Sequence, residues 1–303
     1  MVRPGAEVMI TCDLETQDLA CTTALAIAVK AQGGRPVVLA IDAQDPDLAS
    51  MTSLVAALRR AETWIDLSNV IIYSQLLADP ELANTRYFVL PGLYSDLLAR
   101  AIGRPDLDEL ERFSASLAAR LVPGTPVHAK DRHGSDFRFV VAEHAAEPNL
   151  WLMPGQLNLG VAEGSAEGTV VVNGALYPPA ELGRLDEPLT MQFRGGRLCE
   201  VSGPAAARFG AWLDQRSRPD RRVLMHFSFG FNPGIGATTG VIVEDERVWG
   251  ALVLGLGHYS EGFHSDAVWV GASLDAGTTP ILQEGEYVPP LAEIVSCRRI
   301  EDQ

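Results

Sequence analysis

Positive charge is scarce in this sequence. Its 303 residues include 24 Lys and Arg against 39 Asp and Glu, a formal net charge of −15, and the basic residues form no cluster. Nucleic acids and anionic membrane surfaces both require a positively charged patch on the protein that binds them. We therefore expect neither as a partner.

Cysteine is also rare, and the four cysteines include no CxxC pair (Cys12, Cys21, Cys199 and Cys297). A disulfide framework or a structural zinc site requires closely patterned cysteines, so the sequence predicts neither. Each cysteine is instead expected to be a small buried apolar side chain.

Long apolar runs are missing as well. No stretch approaches the about 20 apolar residues of a membrane-spanning helix. The first ten residues, MVRPGAEVMI, lack the basic and then apolar layout of a signal peptide. We therefore expect a cytoplasmic protein. Its composition, 47% hydrophobic and 21% charged, is typical of a globular chain that folds alone.

The chain is longer than a usual single-core protein, which predicts two domains. Its first third alternates between the two kinds of element, with predicted strands over residues 8–11, 36–41, 70–73 and 87–90 and predicted helices over 19–32, 48–63 and 95–102. This alternation is typical of a βαβ, Rossmann-like domain with a mostly parallel sheet. An amphipathic stretch, 107–121, leads into Pro123-Gly124, and we place the domain boundary there, giving domains 1–123 and 124–303.

Beyond residue 123 the pattern changes to short strand-like runs separated by Gly and Pro. Strands are predicted over 137–142, 168–172, 189–193, 223–229 and 268–274, with one helix over 205–215 and a hairpin turn at His133-Gly134. An α+β domain fits this texture best.

Three residues of this second domain could hold a metal ion. His264 and Asp266 are two positions apart, so on an extended strand their side chains leave the same face. His226, on a neighbouring predicted strand, would complete a set of two His and one carboxylate, which leaves positions open on Fe(II) for substrate and dioxygen. The alternative is that an H-x-D pair arises by chance and each His is an ordinary strand residue.

Further polar residues have weaker claims. His258 follows a Gly-rich stretch and is either a general base near the metal or a loop histidine facing water, and Tyr259 and Glu261 share this ambiguity. Asp13, Glu15 and Asp18 lie after the first predicted strand, where α/β sheets bind ligands. For Asp18, capping of the following helix is the favoured interpretation.

Seven segments of the second half occur in an order that resembles a known superfamily: GSDFRF (134–139), PGQL (154–157), AEGTVVVNG (166–174), FRGGRLCEVSG (193–203), HFSFGFNPG (226–234), LGLG (254–257) and HSDAVWVGASLD (264–275). The superfamily contains the leucyl aminopeptidase T-type metallopeptidases and the 2,5-dihydroxypyridine 5,6-dioxygenases. The resemblance covers most of residues 125–290 and extends loosely to the N-terminal part.

The resemblance implies a metal site and a reaction class. The dioxygenases bind Fe(II) through two His and one Asp, and His226, His264 and Asp266 fall on those positions. The peptidases use two Glu where this chain has Gln156 and His226, which argues against their two-metal centre. The dioxygenases also place a histidine base in their N-terminal domain, whereas residues 1–127 here contain no His. The substrate and the exact reaction therefore stay open.

The sequence thus predicts a non-haem Fe(II)-dependent oxygenase acting on a small aromatic or heteroaromatic metabolite with dioxygen. Its expected residues are His258 and Tyr259 in catalysis, Gln156 and Glu261 in substrate binding, and the metal ligands His226, His264 and Asp266. The alternatives are an aminopeptidase-like hydrolase using Zn(II)-activated water and an inactive binding protein of a biosynthetic pathway on the same fold. The resemblance also implies a homo-oligomer.

Overall fold

The computed structural model describes residues 2–14, 18–42, 50–68, 82, 85–90, 92–143, 153–179, 182–214, 221–257 and 264–296. These residues form two compact units. The first runs to Gly103, and the second comprises the described residues from Arg104 onward, except Met153. In this part of the chain no helix is both long and apolar enough to span a membrane.

The first unit contains a four-stranded parallel sheet with the order β2-β1-β3-β4. Its strands are β1 (Glu7–Asp13), β2 (Arg35–Ile41), β3 (Thr63–Asp66) and β4 (Arg86–Val89), and its helices are α1 (Leu19–Ala31), α2 (Thr52–Leu58) and α3 (Ser95–Leu98), the last continued by the π-helical turn Ala99–Gly103. Asp18 caps α1 by accepting the backbone N–H groups of Ala20 and Cys21, as predicted. The parallel sheet confirms the expected α/β character of this unit.

The predicted helix over 48–63 was too long at its C-terminal end. The helix ends at Leu58, and Thr63 begins β3, which pairs with both β1 and β4. The sequence did not indicate this strand, because an acidic residue such as Asp66 is untypical of a central strand. The side chain is fully buried and accepts hydrogen bonds from the hydroxyls of Thr11, Ser68 and Tyr87. The predicted strand over 70–73 lies outside the described residues.

The second unit is mainly antiparallel β-structure in two sheets. A few helices accompany the sheets, and only in this sense does the expected α+β class apply. A six-stranded sheet has the order β10-β9-β15-β14-β13-β7 and an eight-stranded sheet the order β12-β11-β8-β6-β5-β16-β17-β18. The strands are β5 (Pro126–Lys130), β6 (Asp136–Val140), β7 (Gln156–Gly160), β8 (Glu167–Val172), β9 (Ala175–Tyr177), β10 (Gly183–Arg184), β11 (Leu189–Arg194), β12 (Arg197–Ser202), β13 (Leu224–Gly230), β14 (Leu252–Leu256), β15 (Ser265–Trp269), β16 (Ser273–Ala276), β17 (Thr279–Gln283) and β18 (Glu286–Tyr287).

Three helices and a short 3-10 turn complete the second unit: α4 (Leu107–Ala118), α5 (Ala206–Asp214), α6 (Ile242–Asp245) and Leu291–Glu293. The hairpin predicted at His133-Gly134 joins β5 to β6. The single strand predicted over 268–274 is two strands, β15 and β16, because the chain turns at Gly271, whose φ is +79°. Cys199 is exposed, contrary to expectation, whereas Cys12 and Cys21 are buried.

The two sheets of the second unit share one hydrophobic core. Phe227 and Phe229 of β13 point into it, and the rings of Phe227 and Phe139 on β6 are 4.7 Å apart. Full burial of each such ring contributes about 1.5–3 kcal/mol. One face of the six-stranded sheet is thereby occupied by packing, so polar side chains can lie only on the other.

Helix α4 belongs to this core. The ring of Phe113 lies 4.8 Å from Phe231 and 4.8 Å from Tyr287, and Leu110 and Leu117 are buried beside it. The division between the units therefore falls ahead of α4, whereas the sequence placed a boundary after residue 123. The amphipathic pattern of residues 107–121 indicated a helix but not the core it joins.

Asp131, in the β5–β6 turn, links this hairpin to the six-stranded sheet. Its carboxylate accepts the indole N–H of Trp269 at the end of β15, as well as the backbone N–H and hydroxyl of Ser135. Burial alone would raise the pKa of Asp131, but hydrogen bonds from Ser135, Trp269 and His133 outweigh it and lower the pKa. The charged form of Asp131 therefore stabilises the fold.

We predict that Asp131→Asn lowers the free energy of unfolding by about 1–3 kcal/mol at neutral pH, because these donors lose a charged acceptor. Because the folded pKa is lowered, the stabilisation is complete above the unfolded value of about 3.9 and is lost as pH falls through the folded value. Denaturant unfolding at neutral and acidic pH measures this. Asp136→Asn, which removes exposed ion pairs on the same hairpin, should cost about 1 kcal/mol or less. Equal losses in the two variants would contradict the prediction.

Candidate metal centre

Three neighbouring strands of the six-stranded sheet bring the predicted ligands onto one face. His226 on β13 lies opposite Gly255 on β14, and Gly255 lies opposite Asp266 on β15. Residues directly opposite each other in an antiparallel pair project from the same face. His264, two residues before Asp266, joins them from the same side. The cluster is therefore a direct product of strand register.

A β-bulge sets this register for His226. Leu224 pairs with Leu256, but His226 pairs with Gly255, so Met225 is an extra residue in β13. In regular alternation His226 would share the core-facing side of Leu224. The bulge reverses this, so that His226 and Ser228 leave one face while Phe227 and Phe229 enter the core.

The three ligand atoms form a nearly equilateral triangle. His226 Nε2 is 3.1 Å from His264 Nε2 and 3.2 Å from Asp266 Oδ1, and His264 Nε2 is 3.0 Å from Asp266 Oδ1. Ligand atoms at adjacent positions of an octahedral ion, each about 2.1 Å from it, lie about 3.0 Å apart. The triangle has the dimensions of one face of such a coordination shell.

The other ring nitrogens are held by neighbouring groups. His264 Nδ1 is 3.2 Å from the carbonyl oxygen of Gly257, which can only accept, so Nδ1 is the donor and Nε2 is the nitrogen that faces Asp266. His226 Nδ1 is 2.9 Å from Ser228 Oγ. Such hydrogen bonds fix the orientation and tautomer of metal-binding imidazoles.

Charge in the cluster is poorly balanced without a cation. The side chains of His226, His264 and Asp266 are 12%, 8% and 8% exposed, so little water reaches them. Burial acts to raise the pKa of Asp266, but His264 and His226 outweigh it through charge and hydrogen bonding, and the pKa is lowered. Asp266 Oδ1 is an acceptor, and so is His264 Nε2 when that nitrogen carries no proton. A proton or a cation must lie between them, and the donor set fits a divalent cation.

Gly255 makes room for the cluster. A Cβ atom added there would lie 2.0 Å from His226 Nε2. The imidazole of His226 therefore lies directly over the backbone of β14 at Gly255, between β13 and Asp266 on β15. The LGLG stretch is one of the segments that carry the resemblance, but the steric reason for this glycine appears only with the register of β13 and β14.

The structure adds two side chains that the sequence analysis missed. Glu246, at the end of α6, hydrogen-bonds both Asp266 and Gln156, and burial followed by the charge of Asp266 raises its pKa well above the usual range. Tyr177 on β9 lies opposite Asp266 on the site face, and burial raises the pKa of its hydroxyl. Neither residue stands in a motif: Glu246 belongs to the charged run 244–247, which as sequence is typical of an exposed helix.

The remaining predicted site residues have different outcomes. Gln156, expected to bind substrate, lies at the start of β7 and is half-buried, with its side chain hydrogen-bonded to Glu246. His258, Tyr259 and Glu261 lie outside the described residues, so their roles stay predictions. His128 and His133 lie on the β5–β6 hairpin, where His128 contacts Asp136, and they do not join the cluster.

No protein-family profile matches the chain, and no curated protein matches it. Among solved structures it is similar to the 2,5-dihydroxypyridine dioxygenase of Pseudomonas putida, with a TM-score of 0.72 and 18% sequence identity over 96% of this chain and 94% of that one. At this identity the likeness shows a shared fold along almost the whole of both chains. It agrees with the fold relationship that the seven sequence segments indicated.

We predict that Gly255→Ala displaces the His226 ring and weakens binding of a divalent cation such as Co(II) by about tenfold or more, while the protein stays folded. The β14 backbone itself needs no glycine, because Gly255 has no positive φ. Titration followed by visible absorption measures the affinity, and circular dichroism checks the fold. Gly236→Ala, where an added Cβ meets nothing within 4 Å, is the matched control. Unchanged affinity in Gly255→Ala would contradict the steric argument.

Proposed function

We propose that this protein is a non-haem Fe(II)-dependent oxygenase of a small aromatic or heteroaromatic metabolite, with the ion held by His226, His264 and Asp266. The observation that carries the proposal is the triangle of three ligand atoms 3.0–3.2 Å apart on one sheet face. Two imidazoles and one carboxylate on one face form the ligand set of non-haem Fe(II) oxygenases. The shared fold with a dioxygenase supports the same reaction class.

Fe(II) bound at this face would supply Lewis-acid and redox chemistry with coordination positions left open to substrate and dioxygen. The protein's own groups hold the site in shape. Ser228 and the Gly257 carbonyl fix the two imidazoles. Val253 and Val268, which lie on the same face of β14 and β15 and are fully buried, keep water from one side of the cluster.

Tyr177 is our candidate for a substrate contact on the described part of this face. It is half-buried beside Asp266, and its phenol can donate a hydrogen bond to a substrate oxygen or accept one from a ring N–H. A phenol is protonated at neutral pH, and burial raises the pKa of Tyr177 further. We keep His258 and Tyr259 as proposed catalytic residues and Glu261 as a proposed substrate contact, since they follow β14 directly in the sequence.

A Zn(II)-dependent hydrolase is the competing proposal. It would use the same three ligands, with the ion activating water. Gln156 counts against a two-metal version, because its amide is a poor metal ligand and is hydrogen-bonded to Glu246.

We predict that Fe(II) stabilises the parent protein but not Asp266→Ala. A ligand that binds only the folded state at about 100 times its dissociation constant adds about 2.7 kcal/mol. The quantity compared is the shift that Fe(II) adds to each protein, so a difference in stability between the two metal-free proteins does not enter the comparison. Thermal unfolding of both proteins with and without metal, under anaerobic conditions, makes the comparison. Stabilisation of both proteins, or of neither, would rule out Asp266 as a ligand.

We also predict dioxygen uptake by the Fe(II)-loaded parent when a dihydroxylated pyridine or benzene is supplied, with 2,5-dihydroxypyridine as the first probe. His264→Ala should abolish it, because two ligands cannot complete the site. An oxygen electrode measures the uptake, and a leucine anilide assayed with Zn(II) tests the hydrolase. Anilide cleavage without oxygen uptake would favour the hydrolase over our proposal.

A further inference from the structure

Glu246 is a buried acidic residue that the proposed metal set does not use. It is 7% exposed, and its carboxyl group hydrogen-bonds the side chains of Asp266 and Gln156. A buried carboxyl group is costly unless its hydrogen bonds are satisfied. Its position against a proposed metal ligand therefore calls for a role.

The backbone that carries Glu246 is held firmly. Asp245 accepts the backbone N–H groups of Thr239 and Gly240 at 2.6 and 2.9 Å, which ties α6 to the preceding loop. On the other side, the backbone N–H of Asn232 donates to the Arg247 carbonyl at 3.0 Å. The backbone position of Glu246 is consequently fixed by hydrogen bonds on both sides of it.

Its side chain is fixed as well. Arg247, 1% exposed, lies 3.2 Å from Glu246 Oε2 through Nη1, and the same nitrogen donates to the Val243 carbonyl at 2.6 Å. From β7, the amide of Gln156 supplies a second hydrogen bond. The carboxyl group of Glu246 thus has Gln156 and Arg247 as partners in addition to Asp266.

We infer that Glu246, held by Gln156 and Arg247, is a positioning residue that orients the carboxylate of Asp266 so that Oδ1 faces the two imidazoles. This inference rests on the proposed function, because it concerns the geometry of the same metal ligands. On this inference Gln156 does not contact the metal ion but hydrogen-bonds Glu246 and so limits its movement. Hydrogen-bonded partners of metal ligands set ligand orientation, and their loss typically lowers metal affinity by about 10–100-fold.

The test compares Co(II) binding by the parent and by Glu246→Gln, Glu246→Leu and Gln156→Leu. Visible absorption of bound Co(II) reports the coordination geometry. A substitution that only lowers the stability of the protein does not change this spectrum. Glu246→Gln keeps a donor for Asp266 and should stay within about threefold of the parent affinity with the same spectrum. Glu246→Leu should lose about 10–100-fold and change the spectrum. Gln156→Leu keeps the Glu246 side chain but removes one of its hydrogen bonds, so the Co(II) affinity should fall by about threefold to tenfold.

Asp66→Leu is the matched control, since it removes a buried carboxyl group of the first unit whose hydrogen-bond partners are Thr11, Ser68 and Tyr87. It should lower the unfolding temperature but leave affinity and spectrum near those of the parent. If Glu246→Leu does not fold, parent-like affinity and spectrum in Gln156→Leu, or a loss of about tenfold or more in Glu246→Gln, would overturn the inference. Parent-like affinity and spectrum in Gln156→Leu together with Glu246→Leu, or a loss in Glu246→Gln equal to that in Glu246→Leu, would overturn the inference. A parent that binds no Co(II) or Fe(II) would instead overturn the proposed function, and this inference with it.

Discussion

The site depends on the close approach of three groups that repel one another unless a positive charge lies among them. Two imidazole nitrogens and a carboxylate oxygen lie 3.0–3.2 Å apart, largely out of water. Such an arrangement persists only when the backbone beneath it is rigid. The six-stranded sheet supplies that rigidity, because its opposite face is filled by the aromatic core of the second unit. Packing of Phe227 and Phe229 on one side of β13 thus holds His226 and Ser228 on the other.

Part of this site could be predicted from sequence. His264 and Asp266 are two residues apart, and alternation along a strand is enough to place them together. Placing His226 beside them was correct, but simple alternation from Leu224 would have put it in the core. The bulge at Met225 is a property of the pairing between β13 and β14, which no local pattern along one strand contains.

Other features depend on contacts between distant segments. Glu246 and Asp66 are acidic residues inside the protein, and hydropathy patterns assign such residues to the surface. Their partners come from other strands: Gln156 and Asp266 for Glu246, and Thr11 and Tyr87 for Asp66. The same limitation explains the position of α4, whose apolar stripe was evident while the core that accepts it was not. Periodicity identifies a buried face, but only the tertiary fold identifies what buries it.

The placement of the proposed ligands on a sheet with its own core has a consequence for how this site would acquire a metal ion. The strands that carry the ligands are built by apolar packing, so their formation does not wait for an ion, unlike in zinc fingers, where binding and folding are a single event. The chain would fold first and take up its metal afterwards. Folding then gives no discrimination among divalent ions, and the natural order of affinities favours copper, nickel and zinc over iron at sites of this kind. Loading of the proposed Fe(II) site would then depend on which divalent ions the cell keeps available.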